Sequence, residues 1–79
     1  MFSKELLGAR IRETRRKAGD NQTALGQVIG TGKSHVSEIE KGLACTTVEG
    51  LAALCTHYRV SADYLLGITD DPGWRGEGE

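Results

Sequence analysis

A chain of 79 residues has room for one small domain, and 38% hydrophobic with 27% charged residues places it among globular proteins, not disordered or membrane-spanning ones. The net charge of −1 hides a polarity: residues 1–41 carry eight Lys/Arg against five Asp/Glu, whereas residues 42–79 carry two against six. A basic first half and an acidic second half suit a protein that presents one face to phosphates.

In chain order, Ser3 is positioned to cap a first helix running to about Ala18. Leu7, Ile11, Thr14 and Ala18 fall at i, i+4, i+7 and i+11 as one buried stripe, and Gly19 ends it. Asn21 caps a short second helix, Gln22–Ile29, with Leu25, Val28 and Ile29 facing inward and Gly30 as its stop. After the turn Gly30-Thr31-Gly32, a third helix is predicted over Lys33–Lys41. Val36, Ile39 and Glu40 form its inner face, and Lys33, Ser34, Ser37, Glu38 and Lys41 are left outside. Gly42 closes it.

Thr46 and Glu49 read as a T-x-x-E capping box, which predicts a fourth helix from about Thr47 to Tyr58 with Val48, Leu51, Ala52, Leu54, Cys55 and Tyr58 packing inward. Ser61 caps a short fifth helix through Leu66, and Gly67 supplies a left-handed terminator. The remainder, Ile68 to Glu79, is glycine-rich and holds the only proline, so residues 68–79 are expected to form a flexible tail, with Trp74 loose or folded back. No stretch shows the period-2 alternation of a strand. The expected fold is therefore all-α: one compact five-helix domain over residues 1–67.

Several function classes are disfavoured by what the residues lack. No apolar run approaches the roughly 20 residues of a membrane span, and Met1 to Glu5 is not a secretory signal, so a cytoplasmic location is expected. Cys45 and Cys55 have no CxxC spacing and only His35 and His57 as co-ligands. They read as a loop thiol and a small core residue, with no metal and no cofactor expected. No nucleophile elbow or metal-ligand spacing appears, and the chain is too short for a buried catalytic cleft, so an enzyme with a small-molecule substrate is not expected.

A helix, a short glycine turn and a second helix form the geometry by which one helix enters a major groove while the other braces it, and residues 22–41 fit it. The run from Gln22 to Gly42, with Leu25, Gly26, Gly30, Val36, Ser37, Ile39 and Glu40 at its fixed points, resembles the helix-turn-helix signature of the phage repressor and Cro family. Ile11-Arg12-Glu13-Thr14-Arg15 resembles that family's first helix, and Val60-Ser61-Ala62-Asp63-Tyr64-Leu65-Leu66-Gly67 its closing helix. The resemblance covers roughly residues 6–67 and implies a lambda-repressor-like fold. It also implies a regulator of transcription, a repressor in type, that binds a pseudo-palindromic double-stranded DNA operator as a homodimer.

The resemblance also implies roles. Lys33, Ser34 and Glu38 match positions that meet base edges: lysine donates to guanine O6 and N7, serine pairs with any base, and glutamate accepts from cytosine N4. Gln22 matches a glutamine that hydrogen-bonds a phosphate, and Asn21, His35, Ser37, Lys41 and the amides of Gly42 and Leu43 are assigned to the DNA backbone. Arg15 and Glu40 match an ion pair that braces the recognition helix. Arg10, Arg12, Arg16 and Lys17 are read as a solvated surface. Gly26 stands where the family prefers alanine, at a helix cost of up to ~1 kcal/mol, and Gly32 replaces a Ser/Thr cap. The loop Leu43–Thr47 carries no Lys or Arg. The alternative reading is a helical protein-interaction module, adaptor or antitoxin-like, that keeps the same fold.

Overall fold

The computed structural model describes residues 1–73, in which five helices follow one another with no strand: α1 (Lys4–Lys17), α2 (Gln22–Ile29), α3 (Lys33–Glu40), α4 (Val48–Tyr58) and α5 (Ala62–Leu65). The starts are set by side-chain caps. Ser3 Oγ accepts from Leu6 N–H at 3.1 Å, Asn21 Oδ1 from Ala24 N–H at 2.8 Å, and Ser61 Oγ from Tyr64 N–H at 3.4 Å. Only α3 begins without a side-chain cap, at Gly32. One apolar core gathers Leu7 and Ile11 of α1, Leu25 of α2, Val36 and Ile39 of α3, Leu54 and Cys55 of α4, then Val60 and Leu65. α2 and α3 pack on each other, α4 supports α2, and α1 lies across α3.

The fourth helix starts one residue later than the capping-box reading. Thr47, not Thr46, is the cap, its Oγ1 accepting from Gly50 N–H at 2.9 Å. The inner face consequently runs through Gly50, Leu51, Leu54, Cys55 and Tyr58, while Val48 is 82% exposed and Ala52 is also at the surface. Gly50 is buried where α4 meets α2; a Cβ there would make ordinary contact with Ile29 at 3.4 Å but would collide with Thr46 Oγ1, so a larger residue requires the Thr46 side chain to move. In α1 the buried stripe is Leu7, Gly8, Ile11 and Arg15; Thr14 is half-buried, and Ala18, expected inside, is the exposed C-cap. The last turn has rotated the stripe onto Arg15, which finds a buried partner across the core.

Two glycines permit backbone contacts that any side chain would prevent. A Cβ on Gly8 would collide with the carbonyl oxygen of Ile39 and stand 2.8 Å from that of Glu40, so α1 rests directly on the C-terminal turn of α3. At Gly26 a Cβ would lie 2.5 Å from the Thr31 carbonyl oxygen. Gly26 is therefore more than a tolerated loss of helix propensity: it lets the turn between α2 and α3 fold back onto α2, where Thr31 N–H donates to Gly26 O at 2.8 Å.

Arg10, expected at a solvated surface, is drawn in. Its Nη1 donates to the carbonyls of Tyr64 (2.6 Å) and Thr69 (2.8 Å), its Nη2 pairs with Asp70 at 2.8 Å, and its guanidinium lies 4.1 Å from the Tyr64 ring centroid. Ser61 N–H also donates to Pro72 O at 3.2 Å. Residues 68–73, the start of the expected tail, thus hydrogen-bond back to α1 and α5; Trp74 lies outside the described residues. Cys55 is buried and Cys45 exposed, both free, and burial pushes the Cys55 thiol pKa up. Among the described residues no group of three His, Cys, Asp or Glu side chains is gathered, and no helix is long and apolar enough to cross a membrane.

Candidate nucleic-acid interface

The third helix is amphipathic in the strict sense that one side is fully buried and the other is open. Val36 and Ile39 have essentially no accessible surface, whereas Lys33, Ser34 and Glu38 are exposed, with Ser34 and Glu38 one turn apart on the same side. His35 and Ser37 are half-buried at the flanks. His35 Nδ1 stands 3.8 Å from Glu38 Oε1, beyond hydrogen-bond distance.

The helix is fixed from behind by the two charged residues that the core admits. Arg15 donates from Nε to Glu40 Oε2 at 2.7 Å and from Nη2 to Oε1 at 3.0 Å, a bidentate pair with side chains 11% and 3% exposed. The Glu40 hydrogen bond, opposed by desolvation, raises the Arg15 pKa further above its ordinary value. The pair is extended at both ends. Arg15 Nη1 donates to Asp20 O at 3.0 Å, and Tyr58 OH donates to Asp20 Oδ2 at 2.9 Å, while Gln22 Nε2 donates to Glu40 Oε1 at 3.2 Å. Burial first, and the Asp20 hydrogen bond second, push the Tyr58 pKa up to about 12. One network therefore joins α1, α2, α3 and α4 behind the open side of α3.

The remaining residues assigned from sequence have mixed positions. Gln22 uses one amide hydrogen on Glu40 and keeps a second for another acceptor. Asn21 spends its carboxamide oxygen on the cap, which leaves its NH₂ group. Lys41 is exposed beside them. The amides of Gly42 and Leu43 are already used: they donate to Ile39 O (3.1 Å) and Glu38 O (2.9 Å), closing the C-terminal end of α3 whose carbonyls otherwise lack donors. Leu43 offers a side chain that is 69% exposed.

Sequence reading also missed a feature that only packing creates. Arg12, Arg15, Arg16, Gln22, Ser37, Glu40 and Lys41 line a cleft of about 230 Å³ between α1, the start of α2 and the end of α3. The i, i+4 spacing of Arg12 and Arg16 on one face of α1 was the available signal, but nothing in the sequence says what that face meets.

Residues 6–65 match the helix-turn-helix domain family. The chain is 36% identical over 61 residues to the HTH-type transcriptional regulator ImmR of Bacillus subtilis, covering 77% of this chain and 48% of that protein. It is 37% identical over 62 residues to the repressor protein C2 of Salmonella phage P22, covering 78% of this chain and 29% of that one. This chain thus spans about half or less of these relatives. Its structure is similar to that of the P22 c2 repressor in complex with a synthetic operator, with a TM-score of 0.70 and 37% identity over 76% of this chain and 91% of that one.

Proposed function

The chain belongs to the helix-turn-helix domain family, and from that premise we propose that it is a sequence-specific double-stranded DNA-binding regulator of transcription, a repressor in type, acting in the cytoplasm without catalysis. In this reading α3 enters the major groove. Lys33, Ser34 and Glu38 meet base edges, each good contact supplying about 1–3 kcal/mol of discrimination. Asn21, Gln22, His35, Ser37 and Lys41 hold the DNA backbone, which positions the helix without reading sequence. The observation that carries the reading is the open side of α3 set against a core that contains a bidentate Arg15–Glu40 pair, because a helix so braced presents its side chains in one fixed orientation.

One such unit reads few base pairs, so useful specificity calls for two half-sites about one helical turn apart and a homodimer. We assign the dimer surface to α5 and the residues after it, Tyr64 to Ile68. This is supported by the 71% exposure of Ile68 and by Leu6, also at the surface, which packs beside Gly67.

Selection of bound duplexes from a random oligonucleotide pool tests the whole reading. The expected result is a pair of related half-sites, with Lys33→Ala and Glu38→Ala changing the selected bases and Gln22→Ala weakening all sequences alike. A pool that returns no enriched sequence, or binding that does not fall with rising salt, overturns it in favour of a protein-interaction module.

A further inference from the structure

We propose that the cleft between the last turns of α1, the end of α4 and residues 71–73 is an effector site for a small aromatic carboxylate, anchored by Arg59 and coupled to the DNA-binding side through Tyr58. The site stands on its own geometry; only its effect on DNA rests on the DNA-binding reading above.

Backbone conformation is the first argument. Among the described residues, positive φ occurs at Gly19, Gly30, Gly42 and Gly67, where glycine adopts it without steric cost, and at one residue that is not glycine, Arg59. Arg59 is the C-cap of α4, with φ 55° and ψ 53°, a position that glycine usually fills. Residues held in such a conformation concentrate at ligand sites, and Arg59 lines the cleft.

Size and lining decide the ligand. The cleft has a volume of about 510 Å³, inside the range of roughly 300–1,000 Å³ found for sites of small organic molecules. Val60, Pro72 and two half-buried tyrosines, Tyr58 and Tyr64, give it apolar and aromatic walls, which suit a planar ring. Four charged residues line it: Glu13, Lys17, Arg59 and Asp71. Glu13 accepts from the Tyr64 hydroxyl and stands 3.8 Å from Lys17 Nζ, and Asp71 Oδ1 accepts from Gly73 N–H at 3.0 Å. Arg59 pairs with no carboxylate among the described residues. The charge left to a ligand is therefore one guanidinium, whose fork takes a carboxylate with two parallel hydrogen bonds.

The cleft lies along the last turns of α1, whereas Leu6, which packs beside Gly67 at the assigned dimer surface, is at the start of that helix. Tyr58 belongs both to the cleft and to the network behind α3. Its OH donates to Asp20 Oδ2 at 2.9 Å, and Asp20 O accepts from Arg15, the partner of Glu40. A ring packed on Tyr58 favours the arrangement that keeps this hydrogen bond. A ligand shifts an equilibrium by its preference between states, so the carboxylate and DNA each strengthen the binding of the other.

The test uses the full chain with benzoate as the probe, at constant ionic strength. The expected result is saturable NMR shifts of the Tyr58, Tyr64 and Val60 signals, with no such response to acetate, which lacks the ring, and at least tenfold weaker binding of benzamide, which lacks the charge. Arg59→Gly is expected to abolish the benzoate shifts and to melt at no lower temperature, because glycine suits the left-handed position. Undiminished benzoate binding in that variant, or an equal response to acetate, overturns the site. Shifts of Tyr58 and Tyr64 caused by Trp74→Ala, with no response to benzoate, would assign the cleft to the chain's own continuation and refute it too. On a duplex selected from the random pool, saturating benzoate is expected to tighten binding about fivefold, and Tyr58→Phe to bind benzoate without that gain. Benzoate binding with unchanged DNA affinity overturns the effector role. Failure of the chain to select any duplex overturns the DNA-binding reading, while the NMR result still decides the site.

Discussion

Two arginines of α1 reach across the molecule in the same way and end in different surroundings. Arg15 is 11% exposed and meets Glu40, itself 3% exposed; Arg10 is 14% exposed and meets Asp70, which is 99% exposed. Their burial is alike, so the partner decides what each contact does. A carboxylate inside the core is held at the cost of its desolvation and depends on its guanidinium, whereas a carboxylate in water loses little when its partner goes. Arg10 acts chiefly through two backbone carbonyls and a tyrosine ring, fastening residues 69–70 to α1; Arg15 acts as the cation paired with a buried carboxylate whose other side-chain donor is the neutral amide of Gln22.

The largest expected effect follows from breaking the buried pair. Arg15→Ala leaves Glu40 as an unpaired buried charge, so urea unfolding is expected to show a loss of about 3–5 kcal/mol, and DNA binding falls with it. Binding lost at an unchanged melting temperature would make Arg15 a contact with no bracing role.

Gly8→Ala attacks the same region through shape. Its methyl meets the Ile39 and Glu40 carbonyls, and a loss of about 1–3 kcal/mol is expected from the forced separation of α1 and α3. A neutral outcome in denaturant titration would show that α1 can slide without cost.

On the other side of the comparison, Arg10→Ala is expected to cost about 1.5–3 kcal/mol through its charged hydrogen bonds, while Asp70→Asn stays within about 0.5 kcal/mol. Equal losses from the two substitutions would mean that the exposed ion pair, not the carbonyl contacts, carries the attachment.

Tyr58 tests how far the Arg15 network extends. Tyr58→Phe removes the hydrogen bond to Asp20 at a cost of about 1 kcal/mol. The Tyr58 pKa lies at about 12 in the folded chain, above its ordinary value of 10.0. The folded state therefore holds the proton more tightly, so this contribution is complete below pH 10 and is lost as pH rises towards 12. Stability measured across that range should fall less steeply in the Phe variant.

Helix starts were legible because the caps are local: Ser3, Asn21 and Ser61 bond donors three residues on, a distance that sequence displays directly. The same rule misplaced α4 by one residue, since two consecutive threonines both satisfy it and the fold uses Thr47, whose Oγ1 accepts from Gly50 N–H. Lys33, Ser34 and Glu38 were readable as an outer face because helical periodicity separates them from Val36 and Ile39. The Arg10 contacts were not, as their partners lie 54 to 60 positions away and carry no periodic signature.

The amino-acid order alone therefore determined five helices, their approximate limits and the side of α3 left to solvent, since each depends on residues within about a turn of one another. The packed fold decided which cations are spent within the protein and which remain outward, and that the Gly42 and Leu43 amides are occupied. It also decided that α1 and α3 enclose a basic cleft. Those outcomes depend on which surfaces meet, a long-range property that backbone contact at Gly8 and Gly26 sets and that no local spacing encodes.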